Sequence, residues 1–118
     1  MTRRGDVVVA VFPYVDGSAR KNRPAVVVQC DRLNNQIQNT IIAMITGNTS
    51  LVGQEPTQFL IDPTTPEGRT SGLHHPSAVK CENLMTVAQW DILRTLGHLS
   101  DVLKHKLDCS LKEALELP

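Results

Sequence analysis

The sequence predicts a mainly β protein of the α+β class, a small and strongly curved barrel followed by a C-terminal helix. Short β-branched runs recur at close spacing, and turn signals separate them. The chain then ends in an apolar stripe of helical period. Strands do not alternate with long helices, so a doubly wound sheet is excluded.

The first run, "DVVVAVF", is almost continuously β-branched and ends at Pro13, which suits a strand buried on much of both faces. Asp16-Gly17 would suffice to turn a hairpin. The chain instead continues through Arg20, Lys21 and Arg23 before the second strand, "RPAVVVQC". Pro24 has no N–H for a ladder and is expected at a strand start or on an edge. "DRLNNQIQN" is polar and turn-rich, with room for one helical turn. "TIIAMIT" is a third strand closed by Gly47-Asn48, and "TQFLID" a fourth stopped by Pro63. The Pro- and Gly-rich stretch "PTTPEGRTSGLHHP" reads as a long loop, and "SAVKCENLMTV" returns to strand character.

From Ala88 onward the pattern reads as helical. "AQWDIL" predicts a short helical turn ending before Gly97. Ser100 suits an N-cap, with Asp101 in the first turn, where negative charge favours the helix dipole. Leu103, Leu107, Leu111 and Leu115 then form a stripe that Val102 and Ala114 widen. Lys104–Asp108 and Lys112–Glu116 stand four apart on the opposite side, and the helix stops before Pro118.

At 118 residues the chain is read as one domain, 1–118. Its apolar runs are too short to cross a bilayer, and "MTRRGDVVV" breaks at Gly5-Asp6 before any signal-like stretch. A soluble, cytoplasmic protein with no membrane partner is the expectation. Phe12, Tyr14, Phe59 and Trp90 are the only aromatics, too few for a base-stacking platform. Cys30, Cys81 and Cys109 form neither a disulfide framework nor a CxxC zinc motif. His74-His75 with Cys81 lacks a fourth ligand at a useful spacing, so no metal site is assigned. Known cofactor motifs are missing. Net charge is zero, yet residues 1–23 hold five bases against two acids. Positive charge therefore gathers around the first strand and its loop.

The segments "RRGDVVVAVFPYVDGSARKNRPAVVVQ", "TIIAMITGNTS", "SGLHHPSAVKCENLMTV" and "LGHLSDVLKHKLDCSLKEALEL" together resemble the MazF/PemK family of toxins from toxin–antitoxin pairs. They occur in the family's order and cover essentially the whole chain. The resemblance implies an SH3-like barrel assembled as a homodimer. It implies a metal-independent endoribonuclease, an mRNA interferase, that needs no cofactor and cuts single-stranded RNA at short sequences. It also implies inhibition by a cognate MazE-like antitoxin whose disordered tail occupies the RNA groove.

By that resemblance the catalytic positions fall on Arg23 and Thr46. An arginine suits the charge that builds on phosphorus when a 2′-hydroxyl attacks, because its planar fork can hold two phosphate oxygens. A threonine beside a Gly-Asn turn offers a hydroxyl to the same phosphate. Asp16, Ser18, Arg20, Lys21, Asn48 and Thr49 are the expected RNA contacts, with Lys21 at the basic position of the K-x-R-P motif. His74 and His75 follow in a loop able to border the groove, while His98 and His105 are placed at the helical end. The general base is left open. The competing reading is a non-catalytic module on the same barrel, or a growth inhibitor acting on a protein target such as gyrase, since fold alone does not dictate function.

Overall fold

The computed structural model describes residues 2–12 and 21–118. Among these, the strands are β1 (Asp6–Phe12), β2 (Lys21–Val27), β3 (Asn39–Thr46), β4 (Gln58–Ile61), β5 (Ser77–Ala88) and β6 (Ile92–His98). One helical turn, α1 (Asp31–Asn34), precedes β3, and a longer helix, α2 (Asp101–Leu115), follows β6. The strands form one antiparallel sheet in the order β4-β5-β3-β2-β1-β6, curled into a half-barrel.

The continuous apolar texture of β1 and β2 follows from burial on both faces. Val7, Val26, Ala43, Ile45, Phe59, Ile61 and Val79 form one cluster with Leu99, Leu103 and Leu107, the last two from α2. On the opposite face Val8, Ala10, Phe12, Ala25, Val27, Ile42 and Val87 form the second. A one-residue slip of any central strand would exchange these two sets, so the register is strongly specified.

The polar stretch after β2 is structural. Asn34 is buried, donates to the Gln29 carbonyl (3.0 Å) and accepts from Gln29 Nε2 (2.9 Å) and Thr40 Oγ1 (2.7 Å). Such a satisfied network fixes α1 against the start of β3.

Arg4 is also structural. Its backbone N–H donates to Asp31 Oδ1 (2.7 Å), its Nε to the Val28 carbonyl (3.0 Å), and its guanidinium to Asp108 Oδ1 of α2 (2.7 Å). One residue thereby ties the N-terminal arm to the β2 exit and to the helix. Gly5 follows with φ +91°, and a Cβ there would stand 2.8 Å from Lys104 Cε. The Gly5 amide donates to Val27 and its carbonyl accepts from Leu99. The Arg-Gly-Asp start is therefore a docking piece for α2.

Three expectations need correction. The segment after Ala88 is not helical up to Gly97: a short 3₁₀ turn at Gln89–Asp91 leads into β6, which pairs with β1. His98 accordingly lies at the end of a strand, opposite Asp6. A sheet edge leaves Leu93, Arg94 and Thr95 exposed, so the periodicity that marks a buried strand is weak there. In α2, Val102 is 56% exposed and Leu115 53%, so Val102 does not widen the buried stripe and Leu115 does not extend it. Asp108 pairs with Arg4 rather than Lys104, and Glu116 is a left-handed cap beyond the helix, which removes the pairing with Lys112. The Ser100 cap is as expected, with its hydroxyl accepting from the Leu103 amide.

The Arg4 amide, with help from Asn34, holds the Asp31 carboxyl below its ordinary value of 3.8. As pH falls the unfolded chain takes up this proton first, so the contact's stabilisation is present above the ordinary value and lost as pH descends through the lowered one. Thermal unfolding of the wild type and Asp31→Asn should therefore differ most above about pH 5 and converge as pH falls below the ordinary carboxyl value of 3.8.

Candidate active site

The site begins with the backbone of Pro24. Val27 accepts from Gly5 on the β1 side, and Val28 donates to Ile41 on the β3 side. By strand alternation Pro24 presents its nitrogen toward β3. The β2–β3 ladder runs Val27↔Ile42, Val26↔Ala43, Ala25↔Met44 and ends there. Pro24 thus sits inside a central strand, contrary to expectation, at no cost in ladder bonds, because its missing N–H lies just past the last pair. The two strands part at this point, and a cleft of about 280 Å³ opens between Arg23, Pro24, Met44, Ile45, Thr46 and Gly47.

Arg23 and Thr46 each lie two residues beyond the last pair, Ala25↔Met44. Both then belong to the sheet face of Ala25 and Met44, and both line the cleft. Arg23 is exposed at its mouth, and Lys21 lies two residues earlier on the same face of β2. Thr46 is half-buried, and its Oγ1 accepts from the Asn48 amide (3.2 Å). With that lone pair engaged, the hydroxyl proton is available to a ligand. Asn48 Oδ1 accepts from the Ser50 amide (3.1 Å), which leaves the Asn48 NH₂ as a donor.

Thr46 also belongs to a second, smaller recess of about 60 Å³, shared with Asn48, Ser50, Leu51, Gln58 and Lys80. Lys80 faces Met44 across β3 and Gln58 across β4. Immediately beyond it the β3–β5 pairing shifts from Met44↔Lys80 to Ala43↔Leu84, so Cys81, Glu82 and Asn83 form a bulge. The bulge places Glu82 where Gln58 Nε2 donates to it (2.7 Å). Desolvation acts to raise Glu82, but the Gln58 amide, its own backbone N–H and Lys80 outweigh it, keeping the carboxyl below 4.5. Gln58, Lys80 and Glu82 were not anticipated from sequence. The available signal was a lysine interrupting the otherwise apolar "AVKC".

Residues 3–115 match the family model described as PemK-like, MazF-like toxin of type II toxin-antitoxin system. The chain belongs to that family. Endoribonuclease MazF9 of Mycobacterium tuberculosis is 30% identical over 121 residues, which cover 99% of this chain and 98% of the relative. Endoribonuclease MazF6 of the same species is 32% identical over 98 residues, covering 82% and 81%. Among solved structures, a mycobacterial endoribonuclease in complex with its cognate antitoxin matches with a TM-score of 0.79 at 19% identity, over 100% of this chain and 98% of that one. The Mycobacterium tuberculosis toxin MazF-mt6 matches with a TM-score of 0.72 at 24% identity, over 96% and 98%. At such identities these matches bear on the fold, and they share the curled sheet with a C-terminal helix.

Against this MazF-like frame the remaining positions can be placed. Asp16, Ser18 and Arg20 lie outside the described residues. Thr49 sits in the turn after β3, its carbonyl accepting from Val52, and lines neither recess. His74 borders a different, larger groove of about 580 Å³ with Asn22, Leu93 and Arg94, on the other side of Pro24. His105 lies on α2, where its Nε2 stands 3.7 Å from Cys109 Sγ. Cys81 is fully buried in the core while His74 and His75 are exposed, so these three are not gathered at one point.

Burial, reinforced by the Glu82 charge, pushes the Cys81 thiol up to about 12. A thiol-specific alkylating reagent at neutral pH should modify the exposed Cys30 and Cys109 in the native protein. Cys81 should react only after unfolding, as read by mass spectrometry of the intact chain.

Proposed function

We propose that this MazF-like chain is a metal-independent endoribonuclease toxin that cuts single-stranded RNA at short sequences. It acts in the cytoplasm as a homodimeric single-domain protein and is neutralised by a cognate MazE-like antitoxin. The observation that carries the reading is that Arg23 and Thr46 line one cleft, just beyond the end of the β2–β3 ladder at Pro24. A pure binding module has no need of this pair, whereas transesterification of RNA does.

The chemistry assigns each group a task. The 2′-hydroxyl of the RNA gives up its proton as its oxygen bonds to the adjacent phosphorus, and the bond from phosphorus to the 5′-oxygen breaks. The departing 5′-oxygen takes up a proton, so none is gained or lost overall. The products are a 2′,3′-cyclic phosphate and a 5′-hydroxyl. Negative charge grows on the non-bridging oxygens, and the Arg23 guanidinium can hold two of them at once. The Thr46 hydroxyl, its oxygen already occupied by the Asn48 amide, donates its proton to the same phosphate. Lys21, two residues before Arg23 on the same face, engages the backbone of the bound strand. A cleft of about 280 Å³ has room for sugar and phosphate together, which suits a site that must grip the scissile unit.

The purified protein should cut a long transcript in excess EDTA and leave the two end types named above. Arg23→Ala should retain the fold and lose about 10²- to 10³-fold in cleavage rate, the usual effect of removing an oxyanion donor. Thr46→Val should lose activity while Thr46→Ser keeps most of it, because the hydroxyl and not the methyl is at work. Undiminished cutting by folded Arg23→Ala would overturn this mechanism.

A further inference from the structure

The recess on the far side of Thr46 has properties of its own. It is small, about 60 Å³, and its lining is mostly polar: Thr46, Asn48, Ser50, Gln58 and Lys80, with Leu51. A space of this kind needs only about 10–15 Å³ to admit one water, so the recess suits a group of a few oxygens. Donors meet there. The Asn48 NH₂ has hydrogens to give, since Asn48 Oδ1 is the atom that accepts from Ser50, while the one Thr46 hydroxyl proton serves the Arg23 cleft. Lys80 contributes a full positive charge.

Lys80 is half-buried on a strand shared with the core, and among the described residues the one ion pair joins Arg4 and Asp108. The nearby carboxylate, Glu82, accepts from Gln58 Nε2 at 2.7 Å. Lys80 acts on that carboxylate through its charge, and at the rim of a donor-rich recess it can also engage a second anion. Thr46 pairs with Ala78, and Lys80 stands two residues further along β5 on the same face. That diagonal places their Cβ atoms within about 7–8 Å. Thr46 is thus the common wall of the Arg23 cleft and the Lys80 recess.

We propose that this recess is a second phosphate subsite, in which Lys80 holds the phosphate next to the one gripped by Arg23. The proposal rests on the ribonuclease reading and assigns Lys80 to binding of the strand rather than to bond breaking. Two anchored phosphates, one on each side of Thr46, fix the strand's direction across β2, β3 and β5. They also hold the scissile phosphate, the one gripped by Arg23, against the Thr46 hydroxyl.

The test uses the full-length protein and a fluorescein-labelled RNA carrying the mapped cut site, with a 2′-deoxy sugar there to block cleavage. Binding is followed by anisotropy over a range of potassium chloride concentrations. Lys80→Gln should weaken binding on the order of tenfold and lower the slope of log affinity against log salt by about 0.7, as expected for one lost phosphate contact on a single strand. With cleavable RNA the loss should fall mainly on KM, whereas Arg23→Ala loses turnover. Lys80→Arg should restore the slope. Lys80→Met, which keeps an apolar stem without charge, is measured in parallel so that misfolding of one variant does not decide the matter. If the wild type cuts RNA and neither uncharged variant changes the salt slope, the subsite is wrong and the ribonuclease reading stands. If the wild type neither binds nor cuts RNA, the ribonuclease reading fails and the subsite fails with it.

Discussion

The register of β2 against β3 is the constraint from which the site follows. Both strands are buried on both faces, so a slip by one residue would drive Ala25 and Val27 into the cluster under α2 and Val26 out of it. The core therefore locks Ala25 opposite Met44. With that pair fixed, Arg23 and Thr46 are both placed two residues past it at one cleft, although neither contributes to the core. Packing free energy spent on apolar side chains thus sets the geometry of two polar ones, which is how a rigid sheet preorganises groups near its end.

Pro24 completes the arrangement by what it lacks. An ordinary residue there would carry an N–H directed at β3 and would invite another rung of the ladder. Proline leaves that rung unmade, and the strands separate into the cleft that holds Arg23 and Thr46. On β5 the bulge at Cys81–Asn83 changes the pairing next to Lys80 and sets Glu82 against Gln58. Each irregularity falls on a strand flanking Thr46, while the β2–β3 pairs beyond them stay regular.

Charge required the structure for its interpretation. Residues 1–23 have a basic excess, but Arg4 is consumed in holding Asp31, Val28 and Asp108 together. Its charge belongs to the docking of α2. Lys80, by contrast, lies in the remainder of the chain, which has an acidic excess, yet the sheet brings it beside Thr46. A linear sum of charges misplaces both residues, since electrostatic surroundings are set by neighbours in space.

The sequence by itself determined the elements whose pattern is strong on one strand or helix alone. The β-branched runs of β1, β2 and β3, the Ser100 cap and the leucine stripe of α2 are all local signals. Ordered family motifs added Arg23 and Thr46. It missed β6, because an edge strand with three consecutive exposed residues has little periodicity, and it misassigned Asp108, whose partner is more than a hundred positions away. Only the tertiary structure decided why Pro24 is tolerated in a central strand, and only it placed Lys80 and Gln58 beside Thr46. The reason is physical: a residue's propensity acts within its own segment, whereas a ladder's end and a shared recess exist only after separate strands have been paired.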